Sequence, residues 1–152
     1  GELLGYFMTE WVPPGLEPLN AIERLKAQGA LISVSHPFDT TRSQHWSVDN
    51  LEAIVPYIDA IETFNARCFN NEPNQKAAIF ARQKELMKTV GSDAHSLWEV
   101  GRATLQMSPF NNAASFKAAL NDAQPITRLS PSLVHLFSRY AVFYKKLAKL
   151  FQ

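Results

Sequence analysis

The fold of this chain is decided by the stretch ALISVSHP, residues 30–37. Its apolar start is typical of a short buried strand, and Pro37 ends that strand because proline cannot donate to a sheet ladder. His36 is therefore expected at the carboxyl end of a strand. Gly29, directly before the stretch, is typical of a helix end, and the helix that it closes is expected to begin at Pro18.

The same alternation of helix and strand continues on both sides of this stretch. Short strands are predicted at residues 3–8, 30–35, 60–64, 87–90, 103–107 and 125–127. Helices are predicted between the first four strands and at residues 112–120, and a long C-terminal helix is predicted at residues 131–152. Strands that alternate with helices favour an α/β fold with a mainly parallel sheet or barrel.

Composition limits the class of protein. The chain has 152 residues, of which 46% are hydrophobic and 19% charged, so residues 1–152 are expected to form a single globular domain. The net charge of +1 argues against an extended nucleic-acid surface. One cysteine, Cys68, excludes an intrachain disulfide and a cysteine-only metal site. No apolar run approaches the roughly 18 residues of a membrane span, and a cytoplasmic location is the default expectation.

Polar side chains follow three of the predicted strands. His36 ends the second strand, residues 65–67 follow the third, and Asp93 and His95 follow the fourth. Because the carboxyl ends of parallel strands meet at one edge of a sheet, these groups are expected to lie close together. An aspartate and a histidine two residues apart on an extended segment lie on the same side, as ligands of a divalent metal do.

Three motifs in this order resemble the PHP family, the polymerase and histidinol phosphatase superfamily of metal-dependent phosphoesterases. They are LISVSHPFD at residues 31–39, DAIETFNAR at residues 59–67, and GSDAH at residues 91–95 followed by EVG at residues 99–101. The resemblance covers roughly residues 1–107. It implies a distorted seven-stranded β/α barrel, similar to a TIM barrel, with two or three metal ions at the carboxyl ends of its strands.

The resemblance also implies a set of metal ligands. His36, Asp93 and His95 match ligand positions of the family and are the predicted metal-binding and catalytic residues. Glu2, at the head of the first strand, is a further candidate ligand. Imidazole and carboxylate ligands together suit zinc, manganese or iron, and the sequence does not choose between these metals.

A phosphate ester also needs groups that hold its oxygens. Arg42 and Arg67 follow the second and third strands, and a guanidinium can bind phosphate through two parallel hydrogen bonds. Asn65 is a third candidate for phosphate binding. The predicted function is hydrolysis of a small phosphorylated substrate, such as a nucleotide, by a metal-activated water.

The chain departs from the family pattern at its start. The family's paired His-x-His motif and its next His-Asp motif are absent. The chain is therefore expected to be the C-terminal part of a longer PHP domain and to be weak or inactive alone. The alternative is a non-catalytic PHP-like module with a structural or interaction role. Another metal-dependent hydrolase barrel, such as an amidohydrolase, matches the later motifs less well.

Overall fold

The structure is a computed structural model, and it describes residues 1–134. The predicted C-terminal helix at residues 131–152 lies outside the described residues from residue 135 onward. Across the described part of the chain, every helix is too short or too polar to cross a lipid bilayer.

Six strands and four helices alternate along the chain. The strands are β1 Leu3–Tyr6, β2 Leu31–Val34, β3 Ala60–Asn65, β4 Met87–Gly91, β5 Ala103–Gln106 and β6 Gln124–Thr127. The helices are α1 Pro18–Ala27, α2 Val48–Ile54, α3 Glu72–Gln83 and α4 Ala113–Asn121. Two 3₁₀ turns lie at Val55–Tyr57 and Leu97–Glu99. The predicted strands are confirmed, with ends that differ from the prediction by at most two residues.

The strands form a four-stranded sheet and a separate hairpin. The sheet has the order β1-β2-β3-β4, in which β2, β3 and β4 are parallel and β1 is antiparallel to β2. Strands β5 and β6 pair only with each other, as an antiparallel hairpin. The predicted α/β class and mainly parallel central sheet are confirmed. Within residues 1–134 the sheet stays open, with β1 and β4 at its edges.

The direction of β1 differs from that of a simple parallel repeat. In a parallel unit the helix carries the chain back to the start of the next strand. Here α1, with 10 residues, covers about 15 Å. The irregular segment at residues 7–17 is long enough to cover the same distance the other way. The chain thus returns to the end at which β1 finished, and Tyr6 pairs with Leu31.

Both faces of the sheet are covered by helices. Ile32 and Val34 of β2 face the larger cluster of buried side chains, which α1, α2 and α3 complete. Leu31 faces the smaller cluster, where it meets Phe116 and Leu120 of α4. A sheet covered on both faces needs nearly continuous apolar strands, as in β2. The buried polar side chains Ser33, Glu62 and Thr89 lie within the strands of the sheet and are all hydrogen-bonded.

One irregularity shapes the carboxyl end of β3. Glu62 pairs with Thr89 of β4, but Phe64 pairs with Val90, so β3 contains one extra residue between these pairs. Such bulges bend a strand and redirect the side chains beside them. Gly91 ends β4 directly against Glu62, and a Cβ atom at Gly91 would lie 1.9 Å from the Glu62 Oε1.

We expect Gly91→Ala to lower the free energy of unfolding by about 1–3 kcal/mol, because the added methyl group must displace a buried carboxylate. That carboxylate is held by Ser35, His36 and Asn65 and cannot swing away freely. Urea denaturation followed by circular dichroism measures the change. Lys88→Ala, at an exposed position of the same strand, is the control and should change stability by less than about 0.5 kcal/mol. Equal stabilities of the two variants would contradict the close approach.

Candidate metal centre

A buried carboxylate, that of Glu62, lies at the centre of the carboxyl edge of the sheet. Its Oε2 accepts hydrogen bonds from the His36 main-chain N at 2.7 Å, the Asn65 Nδ2 at 2.9 Å and the Ser35 Oγ at 3.3 Å. The predicted site residues His36 and Asn65 are thus brought to one point. Sequence reasoning missed Glu62, although a charged residue within the apolar strand AIETF was a signal of a buried acid.

The electrostatic state of Glu62 follows from its surroundings. Burial raises the pKa of the Glu62 carboxyl above its ordinary value, since a charge is costly away from water. Hydrogen bonds from Asn65 and from the main chain of His36 lower the pKa but do not offset burial, and the nearby Asp93 carboxylate raises it further. A cation placed at this edge would stabilise the charged form of Glu62.

His36 has a strained backbone and a buried ring. Its φ of 31° lies in the left-handed region, which is uncommon for residues other than glycine and is found often at functional sites. Its Nε2 donates to the Glu2 Oε2 at 2.9 Å. In a neutral ring the lone pair then lies on Nδ1, which is buried and has no hydrogen-bond partner among residues 1–134.

Asp93 and His95 form a second strained turn. Asp93 has a φ of 49°, again in the left-handed region. The His95 Nδ1 lies 2.8 Å from the Asp93 main-chain oxygen and must donate to it, because a carbonyl oxygen only accepts. The lone pair of a neutral His95 ring is therefore on Nε2. Metal-binding histidines in proteins usually donate their second nitrogen to an oxygen in this way.

Arg42 bridges two acidic side chains at the same edge. Its Nη2 donates to the Asp93 Oδ2, and its Nε donates to the Asp39 Oδ2 at 3.2 Å. Burial would lower the pKa of Arg42, but the hydrogen bonds and negative charges of Asp93 and Asp39 together outweigh burial and raise it. Burial would likewise raise the pKa of Asp39, but hydrogen bonds from Thr41 and Arg42 outweigh it and lower the pKa. A predicted phosphate-binding residue is thus paired with a predicted metal ligand.

Arg67 and Asn65 are engaged inside the protein. Arg67 is buried, and its Nη1 donates to the Glu99 Oε1 at 2.8 Å. Asn65 donates its side-chain amide to Glu62 and accepts from the Arg67 main-chain N through Oδ1 at 2.9 Å. Phosphate binding by Arg67 and Asn65 stays a prediction. No role was predicted for Glu99 or Asp39. Both lie in loop sequences, where an acidic residue is usually exposed, and the sequence does not indicate that these two are buried.

The predicted metal ligands are brought together in two pairs. Glu2 contacts His36, and Asp93 lies beside His95 with 3.7 Å between the Asp93 Oδ1 and the His95 Nδ1. Among residues 1–134, no group of three histidine, cysteine, aspartate or glutamate side chains is arranged to hold a metal ion. Burial and nearby acidic groups raise the pKa of the Cys68 thiol to about 12. The assignment of ligands therefore stays a prediction.

Three comparisons relate this geometry to known proteins. The family model described as PHP-associated matches residues 71–125. An uncharacterized protein of Methanocaldococcus jannaschii is 40% identical over 114 residues, which are 73% of this chain and 48% of that protein. A second uncharacterized protein of the same organism is 34% identical over 67 residues, which are 43% of this chain and 36% of that protein. The chain thus spans about half and about a third of the lengths of these relatives.

A crystal structure of a candidate metal-dependent phosphoesterase from Bifidobacterium adolescentis is also similar. The TM-score is 0.48 and the sequence identity 24%, over 57% of this chain and 31% of that one. A likeness of this extent does not bear on activity. The family match covers β4, which precedes Asp93 and His95, together with β5 and α4. It confirms the resemblance, since residues 71–125 match the PHP-associated family model.

Proposed function

We propose that this chain supplies part of the metal centre of a PHP-type phosphoesterase. The observation that carries the proposal is the hydrogen bonding of the two histidines. His36 donates Nε2 to Glu2, and His95 donates Nδ1 to the Asp93 main chain. Each neutral ring is left with one nitrogen whose lone pair is available, and that of His36 is buried without a partner among residues 1–134. Buried polar atoms are rarely left unpaired without a functional reason.

In this proposal His36, Asp93 and His95 are ligands of divalent zinc, manganese or iron. Glu2 has one of two roles in this proposal. It orients the His36 ring through their hydrogen bond, or it is the further metal ligand predicted from the sequence. The bound metal would neutralise phosphoryl charge and activate a water near neutral pH. The remaining ligands would come from the longer protein, in which this open sheet would be part of the family's barrel. The domain boundaries at residues 1–152 and the C-terminal helix at residues 131–152 belong to the same proposal.

Arg42 is the proposed phosphate-binding residue. Its guanidinium is partly exposed, whereas that of Arg67 is buried. Its contacts with Asp93 and Asp39 place it beside the predicted metal ligands, where a phosphate bound to the metal would lie. A small phosphate ester, such as a nucleotide, fits this arrangement of one cation beside a metal site. The chain's own residues would thus bind and orient the phosphate while the metal supplies most of the charge.

A second candidate function is a non-catalytic PHP-like module with a structural or interaction role. It is favoured by one observation: within residues 1–134 the acidic and histidine side chains form pairs but no three-group cluster. A full-length natural protein that binds no divalent metal and hydrolyses no phosphate monoester would establish this function instead.

The metal site is tested with His36→Ala and His95→Ala. We expect each change to weaken binding of Zn²⁺ or Mn²⁺ at least about tenfold in calorimetric titration, because each removes a ligand. Hydrolysis of p-nitrophenyl phosphate by the longer natural protein should fall in parallel. His45→Ala is the matched control, since His45 is exposed and its ring is hydrogen-bonded to the Arg42 main-chain oxygen, not to a predicted metal ligand. Unchanged metal affinity in both ligand variants would rule out the proposed centre.

Arg42→Gln tests how metal and phosphate share the site. A metal ion and the Arg42 guanidinium compete for the Asp93 carboxylate. The variant should therefore bind Mn²⁺ more tightly than the natural chain without phosphate, by about fivefold or more. Added inorganic phosphate should increase the Mn²⁺ affinity of the natural chain but not that of the variant.

The control for Arg42 is Arg102→Gln, which removes a guanidinium that donates to the Trp98 main-chain oxygen. Its metal affinity should equal that of the natural chain with and without phosphate. Weaker metal binding by Arg42→Gln would mean that the arginine supports the metal site instead of competing for it.

A further inference from the structure

In the 3₁₀ turn Leu97–Glu99 the two apolar side chains face solvent and the acidic side chain is buried. Leu97 is 91% exposed and Trp98 is 82% exposed, whereas the carboxylate-bearing Glu99 is 1% exposed. Burying a charged group is costly unless it is paired and hydrogen-bonded. The turn therefore has this orientation because of what the Glu99 carboxylate contacts, and not because of apolar burial.

Both oxygens of Glu99 are used. Oε1 accepts from the Arg67 Nη1 at 2.8 Å. Oε2 accepts from the His95 main-chain N at 3.1 Å and from the Ser96 Oγ at 2.9 Å. One carboxylate thus joins Arg67, the second residue after β3, to the turn that carries His95. The charge of Glu99 is balanced by Arg67, so the carboxylate adds no net charge beside the metal ligands.

The contact with Glu99 fixes the main chain of His95, in addition to the hydrogen bond that fixes its ring. Its ring is fixed by the hydrogen bond from Nδ1 to the Asp93 main-chain oxygen, and its main chain is fixed by Glu99. The turn that carries His95 also includes Asp93, whose backbone is in the left-handed region. This conformation is unfavourable and persists only when surrounding contacts hold it. A ring held at both its nitrogen and its main chain keeps Nε2 in one direction.

We propose that Glu99 is a positioning residue, which holds His95 in the orientation that binds metal. This inference rests on the proposed function, since it requires His95 to be a ligand. Arg67 acts in the same unit as the counter-charge of Glu99. Removal of a group that orients a metal ligand typically lowers metal affinity by about 10–100-fold.

Two double variants separate positioning from simple stabilisation. Arg67→Met with Glu99→Gln, the amide double variant, removes the ion pair but keeps an oxygen that can accept from the His95 N. Arg67→Met with Glu99→Leu, the apolar double variant, removes the ion pair and the acceptor. Replacing both partners of a buried ion pair often leaves stability nearly unchanged, so both variants are expected to fold. Both variants lose the Arg67 guanidinium, and the amide double variant keeps an oxygen that can accept from the His95 N and the Ser96 Oγ, which the apolar double variant lacks.

The readouts are calorimetric Zn²⁺ or Mn²⁺ affinity and, without metal, the hydrogen-exchange rate of the His95 amide, with thermal unfolding measured separately. We expect the apolar double variant to bind metal at least about tenfold more weakly than the amide double variant and to exchange the His95 amide faster. Equal metal affinities and equal exchange rates would overturn the positioning role while leaving the metal centre intact. Absence of metal binding by the longer natural protein, which would carry the remaining ligands, would overturn the proposed function, and this inference with it.

A single variant decides the question if the apolar double variant does not fold. Glu99→Asp keeps a negative charge near Arg67 but shortens the side chain by one methylene, so one carboxylate cannot reach both Arg67 and the His95 N. A loss of metal affinity of about tenfold or more in Glu99→Asp supports positioning. An affinity equal to that of the natural chain overturns it.

Discussion

The edge of the sheet depends on one buried acid, Glu62. Its carboxylate ties the end of β2, through Ser35 and His36, to the end of β3, through Asn65, and it packs on Gly91 at the end of β4. A buried charge that loses its hydrogen bonds costs several kcal/mol, so the three strand ends cannot separate without a large penalty. The geometry of the candidate site is thus set by the framework beneath it and not by the loops alone.

Two ion pairs at this edge differ in how easily they can be exchanged. The pair of Arg67 with Glu99 is buried on both sides, and water cannot replace either partner without a large desolvation cost. The pair of Arg42 with Asp93 is partly exposed, so its partners can separate and be hydrated. The first pair is suited to hold a turn in place. The second is suited to give way to an incoming ion.

Local order in this chain could be predicted from sequence because its signals are local. Pro37 ends β2, and the alternation of apolar runs with helical patterns gave the α/β class and the strand ends that carry His36 and Asp93. The direction of β1 could not be predicted, because it depends on the path of a loop. The burial of Glu62 and Glu99 depends on groups far away in the sequence. The same applies to Arg42, whose partner Asp93 is 51 residues away.

The exposure of Trp98 in the 3₁₀ turn after His95 affects the intrinsic fluorescence of the protein. Trp98 and Trp11 are 82% and 77% exposed, whereas Trp46 is only 7% exposed. Two of the three indoles of the chain are therefore already hydrated in the native state, and emission at long wavelengths is a property of the folded protein. Intrinsic fluorescence is then a poor measure of unfolding. Because Trp98 lies three residues after His95 in the sequence, its emission offers a probe of the turn that carries His95.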